Sequence, residues 1–304
     1  MNRTHIDWLG FRSRALPQET FEALRGVFGE HGDLFQATPT DRGWNGYTRA
    51  YKLTLGGLNI GLTAYGGDAM RGWVRTELTG TGCEWVKDWD TCESDLGELR
   101  DFQTRRVDIA LDTTKREVTH ETVVNAYRSG LFTTSGRPPS MTRIEPEDPV
   151  AGKTVYVGQR AQPKFLRAYE KGFEIASKHK GIQLTEIDGV PIADLYRLEL
   201  ELKAKHQPLP VDLIDNRDQY FAGAYPYLQE VLKVEPEAFC MSREKSPQRA
   251  LASMLGVLRT QYGNTLFTAL AAHKGDVGAV WDKIIGDQHN EKLLDCGVML
   301  VDHE

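Results

Sequence analysis

The segment Tyr196–Lys203 alternates strictly between two kinds of side chain. Leucines occupy one set of alternate positions, and charged residues occupy the other set: Arg197, Glu199, Glu201 and Lys203. Because successive side chains of a strand point to opposite faces, this pattern predicts a strand with one apolar face and one charged face.

The first 205 residues show one order of predicted elements twice. In the first round a helix is predicted at 17–30, and strands are predicted at 5–12, 47–55, 58–65 and 73–78. In the second round a helix is predicted at 119–129, and strands at 105–112, 153–160 and 196–203. The segment 164–171 fits either a strand or the start of a helix. The fold class predicted is therefore α+β, with two similar antiparallel-sheet halves over residues 1–205, although we see no residue-by-residue repeat.

The remainder, residues 206–304, is predicted to be a mainly helical C-terminal region that follows a proline-marked linker at 208–210. Ser246-Pro247 is a favourable helix start, with serine as N-cap and proline as the first helical residue. A turn at Gly263-Asn264 is predicted to separate this helix from a second one, which Gly275 ends.

The composition is that of a soluble protein, with 304 residues, 40% apolar and 26% charged. No apolar run approaches the roughly 20 residues that a membrane helix needs, so no membrane partner is predicted. No signal peptide is visible at the N-terminus. The four cysteines form no CxxC pair, which fits a reducing cytoplasm rather than a zinc knuckle or a redox dithiol.

Charge is spread unevenly along the chain. The formal net charge of −6 argues against a protein that coats nucleic acid by charge alone. Residues 151–180 nevertheless contain seven basic and two acidic side chains. A second basic island lies within the acidic tail and consists of Arg243, Lys245, Arg249 and Arg259. Each island is either a solvated face or a local binding site.

Two pairs of acidic residues lie at strand spacing. Asp108 and Asp112 share one face of a predicted strand, with the small Ala110 between them. Two carboxylates arranged in this way can hold a hard divalent cation. The alternative is that Asp112 is a turn residue at the end of the strand and that Asp108 is an acid paired with an arginine. Glu199 and Glu201 form the second pair, and inward-facing acids there would need a metal or a basic partner.

Tyr169 has a cation on each side at alternate positions, Arg167 and Lys171. Free tyrosine has a pKa of about 10, so it needs cations or a metal to act as a nucleophile at neutral pH. The alternative is an ordinary core or edge tyrosine. The sequence contains no phosphate-binding GxxxxGK[ST] loop, no GxGxxG, no GxSxG and no HExxH motif.

Three segments together resemble the replication initiation factor family. They are RVDIALD at 106–112, VYVGQRAQPKFLRAYEKGFE at 155–174 and YRLELELK at 196–203. The family includes rolling-circle Rep proteins of staphylococcal-type plasmids and replication proteins of filamentous phages. The segments IDWLGF at 6–11 and LTGTGCEW at 78–85 also resemble the phage members, and the resemblance covers about residues 5–205.

The resemblance implies a nickase-ligase that cuts one strand at a double-strand origin. A tyrosine takes the 5′ phosphate covalently, frees a 3′-OH that primes a host polymerase, and later allows the strand to be rejoined. Tyr169 matches the family's RxYxK tyrosine, and Tyr156 on the neighbouring strand is the alternative nucleophile. Arg167 and Lys171 would assist Tyr169, and Arg160 and Lys164 would bind DNA.

The resemblance also implies a divalent metal, Mg²⁺ or Mn²⁺, held by carboxylates. Asp108 and Glu199 match the acids of two family motifs, with Asp112 as a third ligand; Glu201 is less suited, because plasmid members often have a basic residue there. Further implied partners are the double-strand origin, its single-stranded nick site, a host helicase and a second copy of the chain in a homodimer. The location implied is the cytoplasm of a bacterial host, and a non-catalytic phage DNA-binding regulator on the same fold is the alternative function.

Origin recognition is predicted to lie in the second basic island, at Lys245 and Arg249. Two short helices joined at Gly263-Asn264 would resemble a helix-turn-helix. The alternative is a helical hairpin that packs on the catalytic domain or on a second subunit.

Overall fold

The computed structural model describes residues 3–134, 136–148, 151–179, 184–205, 209–210, 212–236 and 247–286. Ten strands form one antiparallel sheet. Five belong to the first half: β1 (His5–Ser13), β2 (Phe35–Pro39), β3 (Arg49–Leu55), β4 (Leu58–Tyr65) and β5 (Val74–Leu78). Five belong to the second: β6 (Gln103–Thr113), β7 (Met141–Ile144), β8 (Thr154–Val157), β9 (Lys164–Tyr169) and β12 (Tyr196–Lys203).

The helices lie between and after these strands, and a small hairpin precedes the last strand. The first half has α1 (Pro17–Val27), α2 (Gly80–Cys83) and α3 (Trp89–Gly97), with 3₁₀ turns at Gly29–Leu34 and Asp68–Met70. The second half has α4 (His120–Arg128), α5 (Lys171–Lys178) and the hairpin of β10 (Glu186–Ile187) and β11 (Val190–Pro191). The helices that follow are α6 (Arg217–Ala224), α7 (Pro226–Leu232), α8 (Pro247–Ala272) and α9 (Val277–Ile284).

The sheet is built from two halves of the same topology. Its strand order is β2-β3-β4-β5-β1-β6-β12-β9-β8-β7, so β1 and β6 meet at the centre. In each half a central strand is followed by a helix and three outer strands, and a last strand returns beside the first. The predicted α+β fold with two similar antiparallel halves is therefore confirmed.

The register reveals a residue-level repeat that the sequence analysis missed. Residues 74–78 (VRTEL) of β5 and residues 196–200 (YRLEL) of β12 occupy the same place in their halves. Glu77 is paired with Gly10 on the central strand of its half, as Glu199 is paired with Ala110. The positions that match Asp108, Arg167 and Tyr169 hold Trp8, Leu62 and Ala64 in the first half.

The two faces of the sheet differ as the alternation in Tyr196–Lys203 predicts. Leu198, Leu200 and Leu202 are fully buried in one apolar cluster with residues of α1, α4, α6 and α7. Full burial of such a side chain contributes about 1.5–3 kcal/mol, so this face fixes the helices against the sheet. The opposite face carries the charged side chains of β6, β9 and β12.

Local signals account for several element boundaries. Thr119 caps α4, as predicted, and its hydroxyl accepts a hydrogen bond from the Thr122 backbone N–H at 3.3 Å. The ambiguous segment 164–171 is a strand up to Tyr169, and α5 begins at Lys171. Gly172 is required there, because a Cβ at this position would lie 2.1 Å from the Ile192 carbonyl oxygen.

The chain divides into two compact units, Met1–Phe239 and Cys240–Glu304. Helices α6 and α7, which we placed with the C-terminal region, thus belong to the first unit. Within the described residues, no helix combines the length and apolar character needed to cross a membrane.

The predicted break in the C-terminal helix is wrong. Helix α8 runs continuously from Pro247 to Ala272, through Gly263 and Asn264. Gly263 has no left-handed φ. Within the described residues 247–286, the only glycine that has one is Gly275, which follows the helix as predicted. A glycine inside a helix costs only about 1 kcal/mol relative to alanine, which a long helix tolerates. The short-helix arrangement that suggested a helix-turn-helix is therefore absent from 247–272.

Candidate active site

Cross-strand pairing collects five of the predicted site residues on the charged face of β6, β12 and β9: Asp108, Asp112, Arg167, Tyr169 and Glu199. In one row across the three strands, Asp112 is paired with Arg197, which is paired with Tyr169. The next row is Ala110, Glu199 and Arg167. The third row is Asp108, Glu201 and Phe165. Since directly opposed side chains lie about 5 Å apart, these nine residues form one continuous patch.

Tyr169 lies within this patch and is almost fully buried, with 7% of its surface exposed. Its hydroxyl donates a hydrogen bond to Glu199 Oε2 at 3.1 Å. The Arg167 guanidinium lies 5.1 Å from the centre of its ring, and the Lys171 ammonium lies 5.8 Å away. Burial raises the pKa of Tyr169 above its usual value, Glu199 raises it further, and Arg197 and Arg167 oppose both. The tyrosine is therefore protonated at neutral pH in this arrangement.

Glu199 connects the tyrosine to Arg167. One Arg167 nitrogen donates to both carboxylate oxygens of Glu199, at 2.5 and 2.6 Å. Only 4% of Glu199 is exposed. A buried carboxylate of this kind needs a cationic partner, because desolvation otherwise strongly disfavours its charge. Arg167 thus keeps Glu199 in a position to accept the tyrosine proton.

Asp108 is paired with the arginine two residues before it. Arg106 donates two hydrogen bonds to the Asp108 carboxylate, at 2.8 and 2.6 Å, and also contacts Glu201 Oε2 at 2.7 Å. The pKa of Asp108 is raised to about 7, because burial, together with the charges of Glu201 and Glu199, outweighs the opposing effect of Arg106. Asp108, Glu199 and Glu201 are therefore close enough to repel one another, and Arg106 is shared by Asp108 and Glu201.

Arg197 is held by two acids beside the tyrosine. It donates to both Asp112 oxygens at 2.6 and 2.7 Å, and to Asp7 Oδ1 at 2.6 Å. The pairing of β1 with β6 shifts register between Ile6 and Trp8, and Asp7 occupies this irregularity. Sequence reasoning missed Asp7, Arg106 and Arg197 as site residues. The alternation that places Arg197 on the charged face was the one available signal.

The donor set is of the right chemistry for a hard divalent cation, but its present arrangement favours arginine. Carboxylate oxygens are the ligands that Mg²⁺ prefers. Glu201 Oε1 is buried without a hydrogen bond, although Lys203 Nζ lies close enough for an ion pair. Among the described residues, however, no three histidine, cysteine or acidic side chains converge as a metal site. Asp108, Glu199 and Asp112 each face an arginine instead.

Two of the predicted basic residues lie apart from the patch. Lys164 is on the helix-covered side, where its ammonium donates to the Ala224 carbonyl at 2.6 Å and lies 4.0 Å from the Tyr225 ring centre. Burial lowers the pKa of Lys164 to about 8. Arg160 is exposed, and its guanidinium lies 5.8 Å from the Phe165 ring centre. The structure therefore does not bring Lys164 to the tyrosine.

The alternative nucleophile, Tyr156, shares the charged face but not the polar contacts. It is paired with Arg167 on the neighbouring strand. Its ring packs against Phe165, with 5.5 Å between centroids. Of the two residues predicted for origin recognition, Lys245 lies outside the described residues. Arg249 belongs to α8, but its side chain lies outside them too.

A family model described as replication initiation factor matches residues 103–265, more than half of the chain. The chain belongs to this family, which confirms the resemblance drawn from the sequence. The match begins at the first residue of β6 and so covers the half of the sheet that contains Tyr169 and Glu199.

A solved structure shows the same fold. It is that of a rolling circle replication initiator protein from Geobacillus stearothermophilus, with a TM-score of 0.54 and 20% sequence identity. The alignment covers 73% of this chain and 83% of that one. No curated protein matched the sequence.

Proposed function

We propose that this protein initiates rolling-circle replication by nicking one DNA strand through Tyr169. The observation that carries the proposal is the hydrogen bond from the Tyr169 hydroxyl to Glu199, flanked by Arg167 and Arg197, in a member of the replication initiation factor family. Nucleophile, proton acceptor and cations thus occupy adjacent positions on two strands. Such a set matches what tyrosine attack on a phosphodiester requires.

The reaction follows from these contacts. Tyr169 Oη attacks the phosphorus while its proton passes to Glu199. The new P–O bond to tyrosine forms as the P–O3′ bond breaks, and the leaving oxygen takes up a proton to become a 3′-OH. For rejoining, a 3′-OH attacks the phosphotyrosine, and the tyrosine oxygen leaves and recovers its proton. Arg167 and Lys171 would stabilise the charge that develops on the phosphate oxygens.

A divalent cation, Mg²⁺ or Mn²⁺, would be held by Asp108 and Glu199, as the sequence analysis predicts for Asp108, Glu199 and Asp112. Glu201 suits the third place better than Asp112. It is paired directly with Asp108 and has an unbonded buried oxygen, whereas Asp112 lies two rows away from Asp108 on the same strand. When bound, the cation would neutralise the scissile phosphate.

The test is incubation of the full-length protein with a supercoiled plasmid that carries its origin, with Mg²⁺ or Mn²⁺. A nicked plasmid and a covalent protein–DNA adduct that resists denaturation are expected. Binding of the origin with neither nick nor adduct would instead support the non-catalytic regulator.

A further inference from the structure

The charged face of the sheet continues from the candidate active site into the first half. On β1, Arg12 is paired with Arg75 of β5, and Gly10 is paired with Arg106 of β6. Because alternate residues share a face, Trp73 and Arg14 lie on this same side. Arg106, which binds Asp108, therefore connects the two regions.

Each of three tryptophans on this part of the protein has an arginine against its ring. The Arg106 guanidinium lies 4.6 Å from the ring centre of Trp8, and that of Arg75 lies 5.2 Å from Trp44. Arg12 and Arg14 lie 4.0 and 5.0 Å from Trp73. All three indoles are half-buried, so part of each remains accessible. We call these tryptophans, with Arg12, Arg14, Arg75 and Arg105, the arginine–tryptophan surface.

This surface has an excess of positive charge. Arg12 donates two hydrogen bonds to Gln103 Oε1, a neutral acceptor, at 3.0 and 2.8 Å. Burial and the charges of Arg12 and Arg75 lower the pKa of Arg105. Arg14 and Arg75 have acidic partners, Asp101 and Glu77, but among the described residues no acid forms an ion pair with Arg12 or Arg105. Cations held together without enough acids favour the binding of an anion.

The first half keeps the charged face but has lost the catalytic positions. Trp8 stands where the second half has Asp108, and Ala64 stands where it has Tyr169. Arg75 and Glu77 match Arg197 and Glu199 in register. This half is therefore suited to hold a ligand of the same chemistry without cleaving it.

We propose that the arginine–tryptophan surface binds single-stranded DNA beside the nick site, with bases stacked on the indoles and phosphates on the arginines. Accessible indoles and clustered cations are the combination that binds single strands with little sequence preference. In a duplex the bases are already stacked, so only the phosphates could be used. Arg106 lies against the Trp8 ring and also binds Asp108, so one strand can span both regions. The role of this surface in strand handling rests on the proposed nicking function.

The test measures binding of the full-length protein to a fluorescent oligo-dT of about twelve nucleotides and to a duplex of equal length, by anisotropy in EDTA. Trp73→Ala should weaken oligo-dT binding roughly ten-fold and duplex binding much less. Arg105→Gln should weaken it several-fold and reduce the salt slope by about 0.7. Arg25→Ala is the matched control, because Arg25 on α1 also lies near an aromatic ring, 5.7 Å from Phe35; its affinity should not change.

Oligo-dT affinity that is unchanged in both Trp73→Ala and Arg105→Gln would overturn the proposal, as would equal losses on oligo-dT and duplex. Stronger binding of polyglutamate than of oligo-dT would assign the surface to an acidic protein instead. Circular dichroism checks that each variant is folded. If Trp73→Ala does not fold, the result for Arg105→Gln alone decides the proposal. The covalent-adduct assay is read separately, so oligo-dT binding without an adduct would refute the nicking function and leave this surface intact.

Discussion

The Tyr169 hydroxyl donates a hydrogen bond to the Glu199 carboxylate, and Arg167 donates to both oxygens of the same carboxylate. The register of β9 and β12 creates this relationship, because Glu199 is paired with Arg167 and Arg197 with Tyr169. The pairing of two short strands thus brings together a tyrosine, the carboxylate that accepts its hydrogen bond and two arginines.

Tyr169→Phe should abolish the covalent adduct and leave origin binding nearly unchanged. In the proposed mechanism the hydroxyl is the nucleophile, whereas affinity comes from cations and stacking. Adduct formation on a supercoiled origin plasmid and filter binding measure the two effects. Tyr156→Phe is the matched control and should keep the adduct. Loss of the adduct in Tyr156→Phe alone would move the nucleophile to that residue.

Glu199→Gln should slow nicking about 10²- to 10⁴-fold, the usual contribution of a positioned acid or base. Glutamine keeps the size and can still accept the hydrogen bond of Tyr169, but it takes up no proton. Single-turnover nicking rates of the two proteins give the measurement. Glu145→Gln, an exposed acid paired with Arg143 and His120, serves as control. A Glu199→Gln enzyme of normal rate would exclude Glu199 as the proton acceptor.

Asp108→Ala should raise the concentration of Mg²⁺ or Mn²⁺ required for nicking by ten-fold or more, or stop nicking altogether. Removing a carboxylate ligand weakens a site that is built from oxygen donors alone. A metal titration of the nicking rate measures the change, with Glu22→Ala as control, since this exposed acid pairs with Arg25 on α1, outside both the patch and the arginine–tryptophan surface. Undiminished nicking by the wild type in excess EDTA would remove the metal from the mechanism.

Lys164→Met should stabilise the protein at pH 7 by on the order of 1 kcal/mol, because burial outweighs the hydrogen bond to the Ala224 carbonyl. The pKa of Lys164 is lowered from 10.5 to about 8 in the folded protein. Between these values the unfolded chain binds more protons, so wild-type stability rises with pH there by at most about 1.4 kcal/mol per unit. Urea unfolding of both proteins at pH 7–10 should show the difference shrinking as pH rises. A constant difference would mean that Lys164 does not titrate in this range.

The sequence predicts what is encoded locally. The bounds of β12 follow from alternation alone, and the start of α4 follows from the Thr119 cap. The arginine partners of Glu199 and Asp112 depend on pairing between strands that are distant in sequence, and no local pattern contains them. Arg106, the partner of Asp108, lies two residues before it on the same strand, in line with the alternative of an arginine-paired acid. The position of Asp7 depends on a register shift between β1 and β6. The repeat of 74–78 and 196–200 was missed because only the pairing register aligns the two halves.

The continuity of α8 gives the last prediction, since a turn and a helix respond oppositely to the same substitution. A Cβ at Gly263 would have the Arg259 Cγ as its nearest neighbour, at an ordinary 3.8 Å. Gly263→Ala should therefore stabilise the helix by about 0.5–1 kcal/mol, through higher helix propensity and a less flexible unfolded chain. Helix content and thermal unfolding of the full chain by circular dichroism measure the change. Gly275→Ala is the matched control and should destabilise, because Gly275 has a φ of +84°. Destabilisation by Gly263→Ala would contradict a continuous helix and would support a turn between two helices.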